Sequence, residues 1–477
     1  MALHFNTDDT IVALATPVGT GAIAVIRLSG KQTFEIAGKI FKLKNNSEKK
    51  IASLKSHTVH FGIIHDNENI IDEVLLTVFR SPNSYTGEDV AEISCHGSTF
   101  IQQKIIQLAI KHGARMAREG EFTLRAFLNG KMDLSQSEAV ADLVSSDSEA
   151  SLRLAMNQMR GGYSEDISRM RSELIKLASL IELELDFAEE DVEFANREQL
   201  KSLVSNLKSQ ISNLILSFEY GNAIKQGIPV VIAGKPNVGK STLLNTLLNE
   251  ERAIVSHIAG TTRDTVEEEI ILSGVKFRFI DTAGIRETTD AIESIGVNRT
   301  MEKISASPVL IYLFDVNETT PVMLKDEINN LKINSVPHIR DNFKLILAGN
   351  KTDLASEENL MHEFNPANSG TGGSDVTFIS AKHKTNINLL REKLISNVEA
   401  GEGIQNNFIV TNARHVSAFE NANRSLENVL NGLEKKLSGD LLAPDLRNAL
   451  HQLGEVTGEV TTDDLLENIF SKFCIGK

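Results

Sequence analysis

The run Ile228-Pro229-Val230-Val231-Ile232-Ala233 leads into Gly234-Lys235-Pro236-Asn237-Val238-Gly239-Lys240-Ser241, and a helix-forming stretch follows over 242–248. A Gly-x4-Gly-Lys-Ser loop between a strand and a helix is a phosphate cradle. Its glycines let backbone N–H groups turn inward around an anion. Lys240 is positioned in the sequence to neutralise β- and γ-phosphate oxygens, and Ser241 to ligate Mg2+. Asn237, Val238, Gly239 and Thr242 belong to the same binding loop.

Further β-rich runs at 275–280, 309–314 and 344–348 alternate with helical stretches, which predicts a parallel α/β sheet. Asp281-Thr282-Ala283-Gly284 closes the first of them. A carboxylate there reaches Mg2+ through water, and the glycine N–H senses a γ-phosphate. Asn350-Lys351-Thr352-Asp353 follows the third run. Asp353 can accept from guanine N1–H and N2–H2, a donor pair that adenine lacks. Ser380-Ala381-Lys382 then offers a backbone N–H to guanine O6. The pieces in this order resemble the Ras-like translation-factor GTPases, so GTP is the expected ligand.

Gly260-Thr261-Thr262-Arg263-Asp264 lies between the loop and Asp281, where such GTPases keep a mobile switch. Thr262 is the expected second Mg2+ ligand. The residue after Gly284 is Ile285, where a Ras-type GTPase orients its attacking water with Gln. Isoleucine cannot do so. Either hydrolysis is slow, or an acid nearby holds the water: Glu287, Asp290 or Glu293. Each also reads as a solvated helix-face acid.

At roughly 150 residues per domain, the 477-residue chain predicts about three domains. Of nine prolines, none lies between Pro82 and Pro229, and Pro444 alone follows Pro366. Inside the first gap Ile167, Met170, Leu174, Leu177, Ile181 and Leu185 form one helical stripe. Val416, Phe419, Leu426, Val429, Leu430 and Leu433 form another. The α/β domain therefore stands between two helical segments, and is an insertion in a helical domain if those segments pack together. Strand-like runs at 11–15, 22–28, 73–79 and 90–94, mixed with helices, read as a separate α+β unit. Segments 368–374 and 401–403 read as a surface loop and a linker. The expected domains are 1–131, 132–226, 227–395 (inserted) and 396–477.

Composition narrows the function classes. Lys plus Arg number 49 against 64 Asp plus Glu, a formal net charge of −15. Hydrophobic residues are 41% and charged residues 24%, which excludes wholesale disorder. The acid excess argues against indiscriminate coating of nucleic acid. With no Trp and 5% aromatics, broad base-stacking platforms are not expected. The charge is uneven: seven acids lie between Glu182 and Glu193, while Lys39 to Lys55 holds six lysines against one Glu. A local basic face for nucleic acid therefore stays open. Cys95 and Cys474 make no disulfide framework. The N-terminus lacks a signal-peptide pattern, and no apolar run approaches the roughly eighteen residues of a membrane span. A cytoplasmic protein with no membrane partner is expected.

The tail Cys474-Ile475-Gly476-Lys477 fits a prenylation box poorly, since its third residue is Gly, its last is Lys and no polybasic run precedes it. The tail, the switch Gly260-Thr261-Thr262-Arg263-Asp264 and the nucleotide motifs together resemble the MnmE (TrmE) family of tRNA-modification GTPases. So do Asn83-Ser84-Tyr85-Thr86-Gly87-Glu88-Asp89, the block from Gly120 to Lys131, Asp186-Phe187 before an acidic run, and Thr462-Asp463-Asp464-Leu465-Leu466. The resemblance spans essentially the whole chain.

It implies a multidomain α/β fold: an N-terminal α+β folate-binding-like domain, an all-α helical domain and an inserted Ras-like P-loop GTPase domain. It implies a homodimer joined through the N-terminal domain, and a flavoprotein partner, MnmG (GidA), in a heterotetramer acting on tRNA. The activity implied is addition of an aminomethyl or carboxymethylaminomethyl group to C5 of the wobble uridine, fed by 5-formyl- or 5,10-methylene-tetrahydrofolate. Folate contacts map onto Arg27, Glu88, Lys131 and Lys477. Arg and Lys suit folate carboxylates, and a carboxylate suits the pterin N–H face. Potassium takes the place of an arginine finger, with Asn237, Ser256, Ile258 and Thr261 as its ligands, and His257, Ala259 and Gly260 in the same nucleotide-binding loop. Glu293 matches the acid that orients the water. Cys474 matches the family cysteine, whose role stays open between nucleophile and small packed hydrophobe. Cys95 reads as a buried strand residue. The alternative function is a GTP-gated ribosome-assembly switch that binds RNA, which needs neither the tail nor a folate-like domain.

Overall fold

The computed structural model describes residues 8–44, 50–186, 197–251, 267–281, 309–335, 344–356, 360, 362–364, 376–399 and 409–476. Its contacts divide into two units. One comprises Met1–Val144, Met156–Ser212 and Ser417–Lys477, the other Ser145–Ala155 and Asn213–Val416.

The first unit begins with β1 (Ile11–Leu14), β2 (Ile23–Ser29), α1 (Thr33–Ile40), β3 (Phe41–Leu43), β4 (Thr58–Asp66), β5 (Asn69–Phe79), β6 (Val90–His96), α2 (Thr99–Lys111), β7 (Arg115–Met116) and α3 (Glu121–Leu128). The strands form one sheet, ordered β3-β4-β5-β6-β2-β1-β7. All pairings are antiparallel except β1 with β7. Alternate residues of β2, β5 and β6 (Ile26, Leu28, Leu76, Val78 and Ile93) pack on Ile36, Ile40, Ile105 and Leu108 of α1 and α2. On the opposite face, Phe122 of α3, Ala117 and Tyr85 cover Ile11 and Ala13 of β1. Farther along the sheet, Val59, Phe61 and Leu75 of β4 and β5 are exposed.

The helical part starts with α4 (Leu134–Ser145), α5 (Glu149–Met159), α6 (Ser164–Asp186) and α7 (Arg197–Gln226). The stripe read from sequence is buried on α6: Ile167, Met170, Leu174, Leu177 and Ile181.

The second unit carries β8 (Ile228–Ala233), α8 (Lys240–Glu251), β9 (Glu267–Leu272), β10 (Val275–Asp281), β11 (Val309–Asp315), α9 (Pro321–Ser335), β12 (Lys344–Asn350), β13 (Val376–Phe378) and α10 (Ile387–Glu399). Its sheet is ordered β13-β12-β11-β8-β10-β9. Every residue of β11 is buried, because apolar clusters cover both faces of this central strand. The expected parallel sheet is corrected at one edge, where β9 is antiparallel to β10 with Leu272 opposite Val275. Ser273 and Gly274 join them with φ of 49° and 77°, the two-residue left-handed turn that matches strand twist. Three glutamates open β9, which is why hydropathy did not mark it.

After the second unit come α11 (Ala413–Glu434), α12 (Gly439–Thr457) and α13 (Asp463–Phe470). Within the first unit α12 packs along α6. Thr462 caps α13 by accepting from Leu465 N–H at 3.3 Å, and Asp463 and Asp464 sit favourably in its first turn. Leu466, Ile469, Phe470 and Phe473 join Leu124 of α3 and Leu134 of α4 in one buried cluster. The C-terminus is thereby brought to the N-terminal sheet. Segments 368–374 and 401–403 lie outside the described residues.

Candidate functional site

Two sites take shape, one in each unit. In the second, the loop after β8 is forced by close packing. Gly234 has φ of 152°, and a Cβ there would lie 2.0 Å from the Leu313 carbonyl oxygen. Gly239 has φ of 101°, and its Cβ would meet the Asn350 amide at 2.4 Å. Only glycine satisfies both positions. Asn237 stands exposed at the loop tip with φ of 63°. Lys240 Nζ donates to the carbonyls of Gly234 and Lys235, both at 2.8 Å, which keeps the ammonium inside the loop.

Asn350, at the end of β12, ties this loop to the segment after β13. Its Nδ2 donates to Val238 O at 2.7 Å, and its Oδ1 accepts from Ala381 N–H at 2.9 Å. Thr246 of α8 donates to Ala381 O at 2.8 Å. Ser380 Oγ donates to Asp353 Oδ1 at 2.6 Å, holding the Asp353 carboxyl below the usual carboxylate range. Lys351 pairs with buried Asp315 at 2.7 Å. Asn317 donates to that same carboxylate and to Lys351 O. The asparagine, the aspartate and the 380–382 turn, distant in sequence, are therefore locked to the phosphate loop before any base arrives. Asp315 and Asn317 were not marked by sequence reading, because their only signal is the end of an apolar strand. Asp281 ends β10. Ser256, His257, Ile258, Ala259, Gly260, Thr261, Thr262, Thr282, Ala283, Gly284, Ile285, Glu287, Asp290 and Glu293 lie outside the described residues.

The first unit builds a charged cluster at the covered end of its sheet. Arg27 of β2 donates through Nε to Glu92 at 2.8 Å. Its guanidinium lies over the rings of Tyr85 and Phe122, 5.4 and 5.6 Å from their centroids. Two residues on, and so on the same face of the strand, Ser29 donates to Glu88 Oε2 at 2.6 Å. Arg125 of α3 reaches the same carboxylate at 3.2 and 3.3 Å. Asn129 fixes the turn before β6 by donating to Thr86 O at 2.7 Å, and Lys131 donates to Pro82 O at 3.0 Å.

Behind Glu88, Arg115 and Arg125 are shared by Asp9 and Glu121. Burial pushes the Glu121 carboxyl up, but hydrogen bonds from Arg115 and the Arg118 N–H outweigh it and hold it low. Burial raises Asp9 as well, and Arg115 and Arg125 overturn that.

The tail lies against this cluster. Ile475 forms a β-bridge with Glu119, and Gly476 O accepts from Arg27 at 3.4 Å. Gly476 has φ of 99°, with space for a Cβ denied by Leu14 O at 2.1 Å. Cys474 is exposed. Cys95 is buried, as read from sequence, and burial pushes its thiol up to about 11, so it is no nucleophile near neutral pH. Lys477 lies outside the described residues. Sequence reading marked Arg27, Glu88 and Lys131 but missed Ser29, Glu92, Arg125 and Gly476 as site builders. A period-two count from Arg27 would have reached Ser29.

Among the described residues, no helix is long and apolar enough to cross a membrane. The family model described as MnmE helical domain matches residues 134–474, and that described as GTP-binding protein TrmE N-terminus matches 10–131. The tRNA modification GTPase MnmE of Christiangramia forsetii is 54% identical, over 98% of this chain and 99% of that protein. The protein of the same name from Bacteroides thetaiotaomicron is 48% identical, over 98% and 100%. A crystal structure of an Aquifex aeolicus Era variant bound to GDP.AlF4- is 27% identical, covering 41% of this chain and 66% of that one, with a TM-score of 0.29.

Proposed function

Because the chain belongs to the MnmE (TrmE) family of tRNA-modification GTPases, we propose that it is a potassium-activated GTP hydrolase of tRNA wobble-uridine modification. It acts with a flavoprotein of the MnmG (GidA) kind to add an aminomethyl or carboxymethylaminomethyl group at uracil C5. One observation carries this reading over that of a plain GTP switch. A chain with a locked guanine-type site also brings its last residues to Arg27, beside a carboxylate held ready by Ser29.

The domains are 1–131, 132–226, 227–395 and 396–477. In the guanine-nucleotide domain, Asp353 takes the guanine N–H pair and the Ala381 N–H takes O6. Lys240 leaves its loop carbonyls for phosphate oxygens. Ser241 stands in the first turn of α8 with an exposed side chain, which suits a Mg2+ ligand. Asn237, exposed at the loop tip, suits a potassium ligand, with Ser256, Ile258 and Thr261 completing the set. Such cations neutralise charge on the β- and γ-phosphates. Glu293 orients the water.

In the N-terminal domain, Arg27 and Lys477 suit folate carboxylates, Glu88 faces the pterin, and Lys131 borders the cluster. The residues present fit this group: a partly buried carboxylate with spare acceptor capacity stands near a guanidinium stacked on two aromatic rings. The tetrahydrofolate supplies a one-carbon unit when bound. Exposed Phe61 and Leu75, directly opposite one another on β4 and β5, support a homodimer joined through this domain.

Nucleoside analysis of tRNA from a strain lacking the gene tests the whole reading. Loss of the wobble-uridine modification is expected, and unchanged nucleosides refute it. GTP turnover equal in sodium and potassium refutes the cation assignment. Glu293→Ala is expected to abolish turnover while sparing GTP binding.

A further inference from the structure

We propose that Arg125, aided by Ser29, is the positioning residue of the N-terminal site, aiming the Glu88 carboxylate at the N–H edge of the bound heterocycle. The proposal rests on the folate reading of this site and names a residue that reading does not use.

Among the described residues Arg125 is the largest fully buried side chain, 1% exposed. A guanidinium is taken out of water only where fixed acceptors replace its hydration. Nη1 donates to Asp9 O at 2.8 Å and to both Glu88 oxygens at 3.2 and 3.3 Å. Nη2 donates to an Asp9 carboxylate oxygen and to Glu121 Oε1 at 3.0 Å. Arg115 reaches Asp9 at 2.7 Å and Glu121 at 2.6 Å.

The three carboxylates differ in what is left over. Asp9 and Glu121 are each held by both guanidiniums, and Glu121 also accepts the Arg118 N–H at 2.8 Å. Glu88 is the third, and of the two guanidiniums it meets Arg125 alone. Ser29 Oγ occupies its Oε2 at 2.6 Å. Among the described residues Oε1 has only the long contact to Arg125, so it keeps acceptor capacity. Of the three carboxylates Glu88 is more exposed than Glu121 and less than Asp9, its side chain 14% exposed, so a ligand can reach it. The ligand class that fits is a cyclic amidine or aminopyrimidinone, whose adjacent N–H donors match one carboxylate.

Arg125 does not touch that ligand. Its part is to hold Glu88 in one rotamer, which spares the ordering cost when the heterocycle binds. A lysine at 125 keeps the charge but cannot fork to Asp9, Glu88 and Glu121 at once.

The test is calorimetric binding of 5-formyl-tetrahydrofolate and of p-aminobenzoylglutamate, which lacks the pterin, to the full chain and its variants. Arg125→Lys is expected to weaken the folate about 10- to 100-fold, the equivalent of one or two charge-assisted hydrogen bonds. Its affinity for p-aminobenzoylglutamate is expected to stay at the wild-type value, which a collapsed site would not allow. In a Glu88→Gln background, Arg125→Lys is expected to cost nothing further.

Equal folate binding by Arg125→Lys and wild type overturns the proposal, as do additive losses with Glu88→Gln and parallel loss of both ligands. Should Arg125→Lys not fold, Ser29→Ala replaces it in the same cycle, with the same selective loss expected and the same outcomes decisive. Wild-type protein that binds neither compound overturns the folate reading itself, and this inference with it.

Discussion

Replacing Gly476 by Ala isolates the contact that brings the chain's end to its N-terminal sheet. Two terms oppose an alanine. The left-handed backbone at φ of 99° costs an L-residue about 1–2 kcal/mol. The added Cβ would also lie 2.1 Å from Leu14 O, 3.0 Å from Leu14 C and 3.1 Å from Ala15 Cα. These are backbone atoms at the end of β1, a strand paired on both sides, so they cannot swing away as a side chain would. The tail beyond Phe473 is held by the Glu119 bridge and the 3.4 Å contact from Arg27. Each is worth about 0.5–1.5 kcal/mol, so they cannot outweigh the strain and overlap together. Phe473 stays buried in its cluster, and the fold is retained. Detachment is expected to become roughly 30- to 150-fold more populated, the equivalent of about 2–3 kcal/mol. Carboxypeptidase trimming past Ile475, followed by mass spectrometry, reads that population when reclosing outpaces cleavage. The variant should be trimmed faster by that factor, with the thermal midpoint of unfolding unchanged. Trimming at the wild-type rate would refute the reasoning.

Three further outcomes follow from the same geometry. Asn350→Ala strands Val238 O and the Ala381 N–H, both hydrogen-bonded to it in the buried site. A loss of about 2 kcal/mol in the urea unfolding of the second unit is expected, with weakened GTP binding, and an unshifted midpoint counts against it. Asp353→Asn offers a donor where guanine needs an acceptor, so GTP affinity should fall and xanthosine triphosphate affinity rise; competition binding with unchanged GTP affinity excludes the assignment. Glu121 and Asp9 have lowered folded values, so their stabilisation is complete above the ordinary 4.5 and 3.8 and is lost as pH falls through the lower folded values. The wild-type thermal midpoint should therefore drop steeply below about pH 4, and Arg115→Gln should flatten that drop; parallel profiles would falsify it.

Local chemistry made much of the molecule legible. The phosphate loop announces itself because glycine, lysine and serine at fixed spacing have one common use between a strand and a helix. The α6 stripe was readable because burial of one helix face imposes a 3.6-residue period. β9 was not, since its three leading glutamates mask the strand, and only pairing with β10 across the Ser273-Gly274 turn creates it. At the guanine-type site, Asn350 was marked from its position after an apolar strand. That its amide bridges Val238 and Ala381 is a matter of how one sheet orders β13, β12, β11 and β8.

The N-terminal site divides most sharply. Arg27 and Glu88 were reached through the family resemblance. Arg125 stood in one of its blocks too, yet sequence gives no sign that a guanidinium there is buried among three acids drawn from positions 9, 88 and 121. Gly476 likewise reads as a tail residue until β1 is found against it. Sequence by itself determined the strand–loop–helix, the helical stripes and the residue types available for guanine and anion recognition, because spacing along the chain controls those directly. Tertiary structure alone decided which charges share a cluster and which end of the chain lies against it. Desolvation and close packing act between residues that the chain holds hundreds of positions apart.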